Sequence, residues 1–154
     1  MFDFFTVAFF GHRHIDNLIK VEDLLEEKVG KLIREKEYVE FLVGRNGDFD
    51  RFASSAVLRA RKKYGECNSS LVLVLPYSTA EFSNNKEAFY NYYTDVEIAC
   101  AGVHPKAAIQ ARNREMVDRA DLIICYVEEK GGASKTIEYA KKKEKTIINL
   151  AKLL

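Results

Sequence analysis

Short apolar runs that alternate with longer amphipathic stretches constrain the fold of this chain more than any other feature of its sequence. The run at residues 4–10 has no polar residue except Thr6, and LVLVL at residues 71–75 is entirely apolar. Such runs are typical of strands covered on both faces in a parallel sheet. Between them, apolar residues recur at the helical steps of three and four, as in Leu18, Val21 and Leu25. The sequence therefore predicts an α/β fold, with a doubly wound, mostly parallel sheet of five or six strands and helices on both faces.

The bounds of the predicted elements follow from these patterns and from the turn residues between them. We predict strands over residues 4–10, 38–43, 71–75, 96–100, 122–127 and 146–150. We predict helices over residues 18–37, 49–65, 105–119 and 132–143, the first with Asp16 as its N-cap. The tyrosine-rich stretch at residues 77–93 has no clear periodicity, and a short helix over residues 86–92 is one interpretation of it.

Length and charge limit the classes of protein to which the chain can belong. Its 154 residues, 47% of them apolar, suit a single compact domain that buries a core without disulfides or a structural metal. The 24 basic and 23 acidic side chains nearly cancel. This balance does not favour nucleic acid or an acidic membrane surface as a partner.

The cysteines and the first residues indicate where the protein acts. Cys67, Cys100 and Cys125 are odd in number and lack CxxC spacing, which argues against a disulfide framework and a zinc site and favours a reducing cytoplasm. The apolar opening at residues 1–10 lacks a basic start and is too short to span a bilayer. We therefore expect a buried strand there, and no membrane partner.

The predicted sheet brings several turns to one edge. Parallel strands joined by right-handed crossovers place every turn from a strand to a helix at the carboxyl edge, where open α/β sheets bind ligands. Four such turns converge on that edge, namely Gly11 to His14, Gly44 to Asp48, Pro76 to Ser78, and residues 128–134. A ligand site at this edge is the main functional expectation.

The Gly131-Gly132 pair is a candidate phosphate cradle. It opens a predicted helix together with Ser134, and a helix N-terminus with closely approaching backbone N–H groups attracts anions. Arg13 and Arg45, on two of the other turns, could donate charge-assisted hydrogen bonds to the same anion. The alternative is an ordinary tight turn flanked by solvated arginines, since neither a P-loop nor a GxGxxG pattern is present.

Histidines and aspartates near the first two turns have structural and ligand-binding interpretations. His12 is a candidate polar contact to a ligand, whereas His14 suits a structural position at a helix start. No further His or Cys lies at a metal-ligand spacing, so no metal is expected. Asp48 and Asp50 are interpreted as helix caps, and Asp48 has a ligand hydroxyl as a second possible partner.

The most specific local signal is the segment ARNREMVDRAD at residues 111–121, followed by a strand, the Gly-Gly turn and Thr136-Ile137-Glu138. Together with the βαβ layout, it resembles the SLOG superfamily of Rossmann-like proteins. That group includes the LOG phosphoribohydrolases, the molybdenum-cofactor carrier proteins and the DNA-processing protein A fold. The resemblance implies that residues 1–154 form one SLOG-like Rossmann domain.

The match to the LOG pattern is partial. In that family R-K-x-x-M leads to an Asp that opens a strand, and P-G-G-x-G-T-x-x-E follows the strand. Arg112, Asn113, Met116 and Asp121 keep the first spacing with Asn in place of Lys. In the second motif Gly131, Gly132 and Glu138 keep their places, whereas Lys130, Ser134 and Lys135 replace Pro, Gly and Thr.

The resemblance implies roles for these residues. As a catalytic pair, Arg112 would hold the phosphate or sugar, and Glu138 would stabilise an oxocarbenium ion or activate water. The expected ligand-binding residues, from the turns and the motif together, are Gly11, His12, Arg13, Gly44, Arg45, Gly47, Asp48, Asn113, Gly131, Gly132, Ser134 and Thr136. The turns FFGHR and GRNGDFDRFA are similar to those of small bacterial and phage SLOG proteins.

Three functions remain open at this point. The first is a protein that binds a nucleotide or nucleotide-derived molecule at the carboxyl edge, as a sensor or sequestering protein without a cofactor. The second is a LOG-type N-glycosidase that acts on nucleoside 5′-monophosphates, and the third is a protein-interaction module that uses the tyrosine-rich stretch. The resemblance also implies a homodimer or larger homo-oligomer, which small Ala107, Ala108 and Ala111 on one helix would favour.

Overall fold

The computed structural model describes residues 4–99, 104–128 and 131–154. Within these ranges, six parallel strands form one sheet in the order β4-β3-β2-β1-β5-β6. The strands are β1 (Phe4–Gly11), β2 (Tyr38–Val43), β3 (Ser69–Leu75), β4 (Asp95–Ile98), β5 (Leu122–Tyr126) and β6 (Thr146–Asn149). The helices are α1 (Leu18–Glu35), α2 (Asp48–Tyr64), α3 (Ala80–Asn84), α4 (Lys86–Tyr92), α5 (Pro105–Arg119) and α6 (Gly132–Lys142), followed by a 3₁₀ turn at Leu150–Lys152.

The central strand β1 explains why the chain begins with a continuous apolar run. It lies between β2 and β5, with Val7 in register with Phe41 on one side and Leu122 on the other. Val7 and Phe9 enter the core beneath α1 and α2, whereas Ala8 and Phe10 enter the core beneath α5 and α6. Helices cover both faces of the sheet, so these side chains on either face of β1 are buried. The strand therefore lacks the alternation of apolar and polar residues that a half-exposed strand shows. The predicted doubly wound α/β fold is confirmed.

Most predicted elements are present, with local differences at their ends. The bounds of α4 and α5 agree with the prediction, and Pro105 occupies the first turn of α5 as expected. The predicted end of β4 at Cys100 falls outside the described residues. The sequence did not indicate α3, in which the Thr79 hydroxyl accepts a hydrogen bond from the Phe82 N–H. A five-residue helix is too short to show a periodicity.

The assignment of Asp16 as the N-cap of α1 was wrong. Asn17 occupies that position and makes no side-chain capping bond. Its carbonyl accepts the hydrogen bond from the Val21 N–H at 3.0 Å, so the cap lies one residue later than expected although the helix begins at Leu18 as predicted. The turn before the cap packs against α2, where the Asp48 carboxylate accepts a hydrogen bond from the Ile15 N–H.

The two described cysteines differ in environment. Cys125 lies near the end of β5 with no exposed surface, and burial raises the pKa of its thiol to about 12. Cys67 is exposed at the turn before β3. Within the described ranges no helix is long and apolar enough to cross a membrane.

The three alanines of α5 do not share one surface. Ala108 is buried within the protomer, Ala107 is exposed, and Ala111 is half-buried. Only Ala107 and Ala111 therefore remain available for close packing against another chain.

The homodimer stays a prediction. We expect sedimentation velocity at high protein concentration to show a species of at least twice 17.6 kDa. Ala107→Glu should shift the sedimenting species towards the monomer, because a charge in a closely packed interface is costly. Lys62→Glu, at an exposed position on α2, should leave the size of the species unchanged. A single 17.6 kDa species at every concentration would contradict the prediction.

Candidate functional site

A cavity of about 450 Å³ opens at the carboxyl edge of the sheet beside β1. The chain runs from β1 towards β2, β3 and β4 on one side and crosses over to β5 on the other. Open α/β sheets bind ligands at such a reversal of strand order. We call this space the switch-point cavity. Its wall includes Gly11, His12, Arg13, Gly44, Asn46, Asp50, Lys106, Ile109, Gln110, Arg112, Asn113, Met116 and Ala133.

Arg112 is a buried charge on the wall of the switch-point cavity. Only 2% of its surface is exposed, because it lies one turn before Met116 on the face of α5 that packs against the sheet. Its Nη1 donates to the Val74 carbonyl at 2.9 Å, and its Nε donates to Asn113 Oδ1 at 2.8 Å. These bonds fix the guanidinium at the carboxyl end of β3.

Gly44 allows Arg112 and Asp50 to approach the end of β2. A Cβ atom at Gly44 would lie 3.1 Å from Arg112 Nη1 and 3.2 Å from Asp50 Oδ2. The Asp50 carboxylate is half-buried and accepts a hydrogen bond from the Asn46 N–H at 2.9 Å. Burial raises the pKa of Asp50, although the Asn46 N–H and the charge of Arg112 act in the opposite direction.

The raised pKa of Asp50 predicts how stability changes with pH. The folded protein keeps this proton at pH values where the unfolded chain, with an ordinary Asp pKa of 3.8, has lost it. The stabilisation that Asp50 gives is therefore complete below the ordinary pKa and is lost as pH rises through the raised one. We expect the free energy of unfolding of the wild type, relative to Asp50→Asn, to fall as the pH rises above 3.8 in urea titrations. A difference that grows with pH would show that Arg112 outweighs burial.

His12 ties the turn after β1 to the turn after β5. Its backbone N–H donates to the Tyr126 carbonyl at 3.3 Å, and its Nε2 accepts from the Glu128 N–H at 2.8 Å. Nε2 is therefore the unprotonated ring nitrogen in this arrangement. His12 lies on the cavity wall as expected of a ligand contact, with one ring nitrogen engaged by the protein itself.

Gly47 and Asp48 join the first two turns rather than face the cavity. A Cβ atom at Gly47 would lie 2.5 Å from the Arg13 Cα, so only glycine permits this approach of the turns. The Asp48 backbone N–H donates to the Arg13 carbonyl, and its carboxylate accepts from the Ile15 N–H and from Arg51. Asp48 was expected to cap α2, but Gly47 is the N-cap and has no side chain to do so.

Arg45 points away from the switch-point cavity into a neighbouring cleft of about 550 Å³ between α2 and α4. Its Nε donates to Glu81 at 2.6 Å and its Nη1 donates to the Tyr93 hydroxyl at 3.0 Å. The guanidinium carbon lies 4.8 Å from the centre of the Phe89 ring. The sequence analysis expected Arg45 to share a ligand with Arg13. In the structure Arg45 lies apart from both Arg13 and Arg112, which line the switch-point cavity.

The turn before α6 only partly reaches the switch-point cavity. Ala133 lies on its wall in the first turn of α6, beside Gly132. The Thr136 hydroxyl is buried and accepts from Asn113 Nδ2 at 3.2 Å, which joins α6 to α5. Two other residues of this turn were expected in the site. Gly131 is exposed and Ser134 is half-buried, and neither lines the cavity.

Glu138 lies on a different surface from Arg112. It is exposed and lines a smaller cavity of about 270 Å³ with Arg114 and Lys142. Gln110 borders both this cavity and the switch-point cavity. The two residues expected to form a catalytic pair therefore line separate cavities.

Sequence analysis named Arg112 and Asn113 of α5 but missed Lys106 and Gln110 on the same helix. Lys106, Gln110 and Asn113 lie four and then three residues apart, which places them on one helical face. That spacing was visible in the sequence and could have extended the expected role of Asn113 to the other two residues. Asp50 was missed because its position in the first turn of α2 suggested only a cap. Within the described residues, no group of three or more metal-ligating side chains is arranged around a common centre.

Comparison with known proteins gives the fold. No family model and no curated protein matches the sequence. DNA processing protein A (DprA) from Streptococcus pneumoniae superposes on 94% of this chain with a TM-score of 0.67 and 18% identity, and the chain spans 49% of that protein. The molybdenum cofactor carrier protein from Chlamydomonas reinhardtii superposes on 94% of this chain with a TM-score of 0.60 and 11% identity, over 75% of its own length. Both are Rossmann-like proteins of the SLOG type. The resemblance inferred from residues 111–138 is thus confirmed at the level of the fold, which this chain shares with SLOG-type proteins.

Proposed function

We propose that this protein binds a nucleotide or a nucleotide-derived molecule in the switch-point cavity, as a cytoplasmic sensor or sequestering protein. The observation that carries the proposal is the buried guanidinium of Arg112 on the cavity wall, held by the Val74 carbonyl and by Asn113. These contacts hold the guanidinium in place on the cavity wall before any ligand arrives. Phosphate is an anion that a guanidinium binds with parallel, charge-assisted hydrogen bonds.

The rest of the wall supports an anionic ligand. Of the described residues that line the cavity, Arg13, Lys106 and Arg112 are cationic, and Asp50 is the one carboxylate. Ala133 places the N-terminal turn of α6 at the same wall, where the helix dipole favours negative charge. A fold neighbour is named as a carrier of the molybdenum cofactor, so carrying a small molecule is one use of this fold.

Binding without cleavage is the form of the proposal that the geometry favours. An N-glycosidase of the LOG type would need Arg112 and Glu138 to reach the same ligand, and these residues line separate cavities. Arg112, Asn113, Arg13 and His12 act as ligand-binding residues in this proposal.

Calorimetric titration with nucleoside monophosphates, diphosphates and cyclic nucleotides tests the function. We expect heat of binding with at least one of them, and the same nucleotide recovered unchanged after long incubation. Release of free base that Glu138→Gln abolishes, with affinity intact, would favour the glycosidase instead. The absence of heat with every nucleotide would contradict both and leave the protein-interaction module.

A further inference from the structure

The cleft that receives Arg45 adjoins the switch-point cavity. Gly44 and Asp50 line both spaces, so the two spaces meet at the turn after β2 and the first turn of α2. The cleft holds about 550 Å³ between α2 and α4. We call it the aromatic cleft because Phe89, Tyr92 and Tyr93 form one of its walls.

The aromatic cleft presents flat surfaces in fixed positions. Phe89 and Tyr93 are buried, and Tyr92 stands edge-on to Tyr93 with ring centres 4.8 Å apart. Arg45 is held by Glu81, by the Tyr93 hydroxyl and over the Phe89 ring. Aromatic rings and guanidinium planes of this kind stack on the faces of nucleobases.

Two carboxylates bring hydrogen-bond acceptors to the cleft, that of Glu22 on α1 and that of Asp50 on α2. Ser54 is 2% exposed on the cleft wall. In the described part of the chain, neither Glu22 nor Ser54 has a hydrogen-bond or ion-pair partner. The charges of Arg45 and Arg51 balance the two carboxylates, so the cleft as a whole favours a neutral ligand. A planar heterocycle with an exocyclic amino group fits this combination.

We propose that the aromatic cleft holds the base of the nucleotide whose phosphate occupies the switch-point cavity, and that it selects bases with an exocyclic amino group. This inference rests on the proposed function. The ligand passes Gly44 on its way from one space to the other. The base stacks on Tyr92 and Arg45, and its amino group donates to Glu22 or Asp50.

Two tyrosines on α4 provide a matched pair of variants. Tyr92 lines the aromatic cleft and is 41% exposed, whereas Tyr90 is 50% exposed and packs edge-on against Phe82 outside the cleft. We expect Tyr92→Ala to weaken nucleotide binding about tenfold through lost stacking, and Tyr90→Ala to leave it within about twofold. Neither variant should change the affinity for ribose 5-phosphate, which has no base. Circular dichroism controls for folding.

A second experiment tests the choice of base. Adenosine monophosphate carries an exocyclic amino group where inosine monophosphate carries an oxo group. Cytidine and uridine monophosphates form a second pair of the same kind. Wild-type protein should prefer the amino member of each pair that binds. Glu22→Gln should reduce this preference at least threefold, whereas Glu26→Gln on the same helix, outside the cleft and paired with Arg59, should not.

The outcomes separate this inference from the proposed function. If ribose 5-phosphate binds as tightly as every nucleotide and the two tyrosine variants behave alike, the base does not occupy the aromatic cleft, although the phosphate site stands. If neither nucleotides nor ribose 5-phosphate bind, the proposed function itself fails. An equal preference for amino and oxo bases in the wild type would overturn the proposed base selection alone.

Discussion

Replacing Arg112 by glutamine is expected to weaken the binding of a nucleoside monophosphate by about 1.5–3 kcal/mol, the free energy of a hydrogen bond to a charged group. This corresponds to a loss in affinity of roughly 10- to 150-fold. The effect is large because the guanidinium is already held by Val74 and Asn113 before the ligand arrives. An ordered side chain loses little entropy on binding, so most of the interaction energy contributes to affinity.

The matched control for Arg112→Gln is Arg114→Gln. Arg114 lies on the same helix, is exposed, and lines the smaller cavity together with Glu138. Isothermal titration of both folded variants with the same nucleotide compares the loss of one positive charge at the two positions. Equal affinities of the two variants would show that Arg112 does not contact the ligand, and that its burial serves the fold alone.

Replacing Gly11 by alanine is expected to destabilise the protein by about 3 kcal/mol, at the upper end of the usual cost of overpacking a core. The new Cβ would lie 2.6 Å from the Cβ of Phe49. Phe49 has no exposed surface, and its ring packs at 6.4 Å from that of Phe9. Neither the first turn of α2 nor the end of β1 can move away without disturbing this core.

Gly131→Ala is the comparison for Gly11→Ala. A Cβ atom at Gly131 would meet nothing within 4 Å, so only the weaker preference of alanine for the N-cap position opposes it, at about 1 kcal/mol or less. Urea denaturation of the two variants measures the difference in the free energy of unfolding. Similar stabilities would mean that the turn after β1 is free to shift away from Phe49. Because Gly11 also lines the switch-point cavity, such a shift would change ligand affinity as well.

The sequence was sufficient for the elements and for their arrangement. The run of apolar residues in β1, with Thr6 as its one polar residue, required two covered faces, and this in turn required helices on both sides of a parallel sheet. Helix α5 was bounded correctly by Pro105 at its start. These features depend on residues close together in the chain, whose periodicity and turn chemistry are visible without the partners against which they pack.

The composition of the site was decided by tertiary structure. The sequence placed Arg13, Arg45 and Arg112 at one edge of the sheet, but only packing determined that Arg45 turns towards Tyr93 and Phe89 while Arg112 turns inwards to Val74. In the same way, Glu138 has the same spacing from Gly131 along the chain as the Glu of the LOG pattern. Helix α6 nevertheless places Glu138 at the smaller cavity and not at the switch-point cavity. The direction of a side chain at the end of a strand depends on elements many residues away, which no local pattern records.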